Sequence, residues 1–207
     1  MAVPEPKKDV CSFRRHQYLA RAGEAQDHIY RLEEGWACRF RVLRDGRRQI
    51  VALFLPGELC EPQWLLSHRA DLPVVALTPL RATTIGMDVA DAHQQHRRDL
   101  LDPVYDAMLQ ALNRQAEWIV NLGRKTAAER ICALIHDIFT RLRNNGRLIG
   151  DRFAMPLTQY DIADIVGLTP VHVNRVFKSL RREGIIDLKS RSMWIADPTA
   201  MQQLAAE

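Results

Sequence analysis

The sequence predicts an α+β protein: a small β barrel or jelly roll, then a long helix, then a C-terminal winged helix-turn-helix. Three observations predict it. Residues 29 to 87 carry short apolar runs of period two, punctuated by Gly and Pro. From about Asp88 the apolar residues recur at intervals of three and four instead. Residues 158 to 195 then place two capped helices, a glycine turn and a basic hairpin in immediate succession.

In the first region Trp36, Cys38, Phe40 and Val42 alternate with Ala37, Arg39 and Arg41, one face of a strand against the other. Asp45-Gly46 supplies a hairpin turn, Ile50 to Leu55 returns, and Pro56-Gly57 breaks the run. Pro73 to Leu77 and Arg81 to Ile85 add strands, and many short strands suit a barrel or jelly roll.

Asp102-Pro103 reads as a helix start, a carboxylate cap with proline at the first helical position. Behind it Val104, Met108, Leu112, Ile119 and Leu122 form an apolar stripe that two copies of the chain would bury against each other. The expected dimer interface is therefore Val104, Met108, Leu112 and Ile119, on a helix over about 103–122. Gly123 interrupts it and marks the expected boundary, with residues 1–122 as the N-terminal domain and 123–207 as the C-terminal one. A new helix opens at the capping box Thr126-Ala127-Ala128-Glu129 and stops at Asn145-Gly146.

Thr158 with Asp161 resembles a capping box for a short helix with Ile162, Ile165 and Val166 inward. Ala163 is small enough for a close helix crossing, and Gly167 allows the sharp turn. Thr169-Pro170 caps a second helix with Val173, Val176, Phe177 and Leu180 inward. Ala163, Gly167 and Val173 thus have helix-turn-helix spacing. The outward face of the second helix offers Val171, His172, Asn174 and Arg175 to base edges, where arginine suits guanine and asparagine suits adenine. Thr158, Thr169, Lys178, Arg181, Lys189 and Arg191, with Arg182 beside them, suit phosphates. Ile185 to Leu188 and Ser192 to Ile195 flank the turn Lys189-Ser190-Arg191, the expected wing. Two packed helices with a basic face explain the spacing alone, but not its coincidence with caps, turn and wing.

LTQYDIADIVGLTPVHVNRVFKSLRREGII resembles, almost end to end, the DNA-reading segment of the Crp/Fnr family of transcription regulators, the family of the catabolite activator. GRRQIVALFLPGEL is similar to that family's β-roll and LGRKTAAERI to its hinge, so the likeness runs from about Tyr18 to Ile195. It implies a cyclic-nucleotide-binding-like β-roll, a dimerising helix, and a bacterial, cytoplasmic homodimer reading palindromic duplex DNA. It also implies RNA polymerase as a partner, and Arg175 as the arginine that contacts guanine. Gly57 and Glu58, with Arg69, fall in the implied effector pocket.

Two departures qualify the likeness. Where the family's binders hold a cyclic phosphate with Arg-Ser, this chain has Ala70-Asp71, and no Ser or Thr lies between Pro103 and Leu122. Both argue against cyclic AMP, leaving the effector unknown. In the recognition helix Val171 stands where many relatives carry a glutamate, which puts the family's common target in doubt.

No cofactor, metal or catalytic residue is expected. An iron-sulfur cluster needs several N-terminal thiolates and only Cys11 lies there. His28, His68 and Cys60 are isolated candidates for a haem ligand, and His93 with His96 lacks a third metal ligand nearby. A cupin-like enzyme would need paired histidines on a strand, and residues 29 to 87 contain only His68. A ligand-sensing module that acts through protein partners is the other alternative. Net charge of +4 is compatible with a polyanion but does not demand one. Cys11, Cys38, Cys60 and Cys132 form no CxxC pair, no signal peptide precedes them, and no apolar run is long enough to span a membrane, so a reduced cytoplasmic compartment is expected.

Overall fold

The computed structural model describes residues 9–86, 94–148 and 152–206, with side chains from 101 onward in the long helix. The chain divides into two compact units, Met1–Arg41 with Ala52–Arg114, and Val42–Val51 with Gln115–Glu207.

The β-roll is made of two antiparallel four-stranded sheets. One runs β1 (Val10–Phe13), β8 (Leu80–Gly86), β3 (His28–Glu34), β6 (Leu59–Cys60). The other runs β2 (Tyr18–Ala20), β7 (Val74–Ala76), β4 (Ala37–Val42), β5 (Arg48–Phe54). A short helix α1 (Trp64–Ser67) follows β6. The expected buried face holds at Trp36, Cys38 and Phe40, but the alternation fails at Ala37, which is buried as well, and at Val42, which is exposed. The β4–β5 hairpin turns at Gly46, whose φ of 85° only glycine adopts cheaply. Ile29, Leu32, Trp64, Val74 and Leu80 anchor the core, each worth about 1.5–3 kcal/mol of burial.

The helix α2 spans Gln94–Arg124, so Asp102-Pro103 is not its start; Pro103 lies inside it. A proline inside a helix forgoes one backbone bond and crowds the carbonyl one turn before it, a cost that α2 bears at this point. Gly123 likewise sits in the last turn and does not end the helix. Val104 corrects a second expectation: it is 4% exposed and belongs to the β-roll core, with Met108 packed against that core. Val104 is thus covered by its own chain and Met108 partly so. Leu112 and Ile119 are exposed, as are Tyr105, Leu109 and Val120.

In the second unit α3 (Ala127–Asn144) starts at the Thr126–Glu129 capping box and buries Ile131, Leu134, Ile135, Ile138 and Leu142. The three-stranded sheet β10 (Ile186–Lys189), β11 (Ser192–Ile195), β9 (Arg152–Ala154) carries the wing. The helices α4 (Gln159–Val166) and α5 (Pro170–Arg182) pack on each other and on α3, and α5 also meets β10. A last helix, α6 (Pro198–Ala206), packs on α3, and Lys125 Nζ donates to the carbonyl of Ala205.

Candidate nucleic-acid interface

The α4 helix begins where its sequence says it should. Thr158 Oγ1 accepts from the Asp161 amide at 3.1 Å, and the Asp161 carboxylate accepts from the Thr158 amide at 3.0 Å. The Thr158 hydroxyl also donates to that carboxylate at 2.7 Å. The Thr158 hydroxyl is thus the cap of α4, engaged with Asp161 as both acceptor and donor. Gly167 ends α4 in the left-handed conformation, φ 67° and ψ 39°. Thr169 Oγ1 then accepts from the His172 amide at 3.2 Å, with Pro170 at the first helical position.

The two faces of α5 separate cleanly. Val173, Val176, Phe177 and Leu180 are buried. Val171, Arg175 and Lys178 are exposed, and His172 and Asn174 are half-buried beside them. The arginine fork and the asparagine amide therefore share one helix face, as a reader of base edges requires.

Beyond Arg175 the surface stays cationic. Lys178, Arg181, Arg182 and Lys189, with Asp187 and Trp194, line an open cleft of about 530 Å³. Asp187 pairs with Lys189 at 3.3 Å and lies 3.9 Å from Arg181. Such exposed pairs are worth under about 1 kcal/mol, so a phosphate can replace the carboxylate. At the wing tip Ser190 and Arg191 both have positive φ, 49° and 62°. A two-residue hairpin loop of that kind twists with its strands, but neither residue is the glycine or asparagine that adopts it cheaply. It presents Arg191 to solvent, with its carbonyl bound by the Met155 amide at 2.8 Å. Arg152, on the neighbouring strand, stacks over Trp194 at 5.4 Å.

The residues expected to form an effector pocket behave differently. Glu58 accepts from the Leu55 amide at 2.8 Å, closing its own turn, and Gly57 donates to the carbonyl of Leu32. Arg69 is exposed and bridges to Ala25 through its backbone. The carboxylate that does enter the roll is Glu61, which the sequence reading missed. It is 1% exposed, held by Arg39 at 2.9 Å and by Gln63. Burial pushes its carboxyl above the usual range despite Arg39, and Asp71 adds to the rise. Among the described residues Glu61 Oε1 and Arg39 Nε find no hydrogen-bond partner.

Asp161 shows the opposite balance. Burial is the largest influence and pushes its carboxyl up, but the bonds from Thr158 and Arg48 together outweigh it and leave it lowered. Burial pushes the Cys132 thiol up to about 12 and the Cys60 thiol well above its usual value. Among the described residues no group of three His, Cys, Asp or Glu could hold a metal, and His93 and the His96 side chain lie outside them. No helix among the described residues is long and apolar enough to cross a membrane.

Fold and site together define a winged-helix DNA-binding protein with an N-terminal β-roll. Residues 129–204 match the Crp-like helix-turn-helix domain and residues 10–92 the cyclic nucleotide-binding domain. The chain is 29% identical over 196 residues to the nitrogen fixation regulation protein FixK of Rhizobium meliloti, covering 94% of this chain and 86% of that one. It is 29% identical over 197 residues to the transcriptional activator protein FnrL of Cereibacter sphaeroides, covering 92% and 77%. Its fold superposes on FixK2 of Bradyrhizobium japonicum with a TM-score of 0.84 at 24% identity, over 97% of this chain and 98% of that one. With both matched domains in one chain, the protein is a DNA-binding transcription regulator of the Crp/Fnr type.

Proposed function

We propose that the protein binds palindromic operators as a homodimer, reading each half-site with α5, and that cyclic AMP is not its effector. One observation carries the operator reading: Arg175 and Asn174 share the outward face of a helix whose inward face is buried. Two such helices on a twofold axis would enter successive major grooves about 34 Å apart. The exposed residues Tyr105, Leu109, Leu112, Ile119 and Val120 on α2 support the homodimer, since a second copy would cover them.

The β-roll supports the second part. A cyclic phosphate would meet the carboxylates of Glu61 and Asp71 where it needs cations, and Arg39 is already engaged by Glu61. The activator among the relatives supports RNA polymerase as the partner of the bound dimer, in the cytoplasm of a bacterium.

In vitro selection from random duplex DNA tests the operator reading. The expected product is a palindrome whose half-sites contain a guanine lost from selection by Arg175→Ala; a product with no twofold symmetry would overturn it. Calorimetry with cyclic AMP tests the effector reading, with no binding expected, and a micromolar dissociation constant would refute it.

A further inference from the structure

The second unit contains a contact that lies outside the reading face of α5 and that DNA binding as described does not use. Arg48 follows the Asp45-Gly46 turn at the start of β5. Its Nη2 donates to Asp161 Oδ1 at 2.7 Å and its Nε donates to Asp164 Oδ2 at 2.6 Å. The adjacent Gln49 donates from Nε2 to the carbonyl of Ile165 at 3.0 Å. Three bonds from two consecutive residues thus converge on one stretch of α4. Asp161 and Asp164 are three residues apart and share a helix face, so a planar guanidinium with donors on two edges can take both.

The environment makes these bonds stronger than ordinary surface pairs. The Asp161 side chain is 9% exposed and that of Arg48 26%. Partly desolvated, doubly engaged arginine pairs are held in place in a way that single exposed ones are not. Asp161 is also the carboxylate of the α4 capping box, so the same group fixes the start of the helix and receives the hairpin.

In a helix-turn-helix the first helix crosses the DNA backbone and carries the second into the groove. Two carboxylates on that first helix are unfavourable neighbours for phosphates unless a cation neutralises them. We propose that Arg48 is a positioning residue for DNA reading: through Asp161 and Asp164 it clamps α4 in register and cancels their charge. Arg48 then acts on α5 only through α4, to which α5 is joined by the Gly167 turn and on which it packs.

The inference rests on DNA binding by the helix-turn-helix and on nothing about an effector. Operator titrations at fixed salt test it, in two backgrounds. In the wild-type background Arg48→Ala should weaken operator binding about tenfold. In a background carrying Asp161→Asn and Asp164→Asn the same substitution should change binding by less than about twofold, because the groups it acts through are gone. The exchanged pair, Arg48→Asp with Asp164→Arg, should bind more tightly than Arg48→Asp alone. Should Arg48→Ala fail to fold, Arg48→Lys carries the comparison: it keeps the cation but not the planar fork with donors on two edges, and a partial loss confined to the wild-type background is expected.

Equal losses in both backgrounds would overturn the proposal, since the hairpin would then be touching DNA itself. An Arg48→Ala protein that melts and binds like the wild type would overturn it too. Wild-type protein that fails to bind the selected operator would count against the DNA-reading assignment itself, which the wild-type arm therefore checks separately.

Discussion

Arg39 with Glu61 in the β-roll unit and Arg48 with Asp161 in the DNA-binding unit are the same chemistry in two settings, with N–O distances of 2.9 and 2.7 Å. Their carboxyls nevertheless move in opposite directions, Glu61 up and Asp161 down. Distance does not decide the difference. Glu61 is almost wholly buried and one of its oxygens finds no donor among the described residues, so desolvation wins. Asp161 is buried too, but it receives an amide, a hydroxyl and a guanidinium, and these outweigh the same penalty. A buried ion pair is therefore judged by how completely its lone pairs are filled.

Removing one partner should widen this contrast most. Arg39→Ala would strand the Glu61 carboxylate in the core and should destabilise the β-roll by about 3–5 kcal/mol in urea unfolding. Replacing Arg39 and Glu61 together with methionine should recover most of that loss. If the single and double variants unfold alike, the pair is not the buried liability described.

The contrast has a counterpart along α2, where Val104 is covered by its own chain and Ile119 is 73% exposed. Leu112→Glu with Ile119→Glu should yield monomers in sedimentation, with weakened operator binding and an unchanged β-roll melting temperature. A dimer that persists at micromolar concentration would exclude this face as the interface.

Smaller effects separate the two carboxylates directly. Thr158→Ala removes a cap and should destabilise the second unit by about 1 kcal/mol while raising the Asp161 carboxyl toward its ordinary range. The pH dependence has opposite signs at the two sites. Asp161, lowered in the folded protein, contributes stability above the unfolded carboxylate value that is lost as pH falls through its folded value. Glu61, raised, contributes stability at low pH that is lost as pH rises through its folded value. Carboxyl carbon shifts followed by NMR should show Glu61 titrating above Asp161; the reverse order would refute both assignments. Least of all, Ser190→Gly should relieve the wing tip by about 0.5–1 kcal/mol.

The DNA-binding unit was the more legible half because its signals are local. Thr126 with Glu129, Thr158 with Asp161, Gly167, and Thr169-Pro170 each act within a few residues of themselves, and all lie where their spacing puts them. The Asp45-Gly46 turn was legible for the same reason. What escaped depends on partners far along the chain. The strands β1, β2 and β9 have three or four residues each, too few to show a period, and form because other strands pair with them. Glu61 lies 22 residues from Arg39, and Arg48 lies 113 from Asp161. No window of sequence holds either pair. The proline of Asp102-Pro103 misled because a start signal is only a preference, which a helix continuing from upstream overrides.

The central claim, that α5 reads bases through Arg175, is tested most directly by titrating Arg175→Ala against the selected operator and its single-base variants. A loss of about 1–3 kcal/mol per half-site is expected, with preference relaxed at one symmetric base position and retained elsewhere. Equal weakening on every variant would place Arg175 on the phosphate backbone and contradict the account.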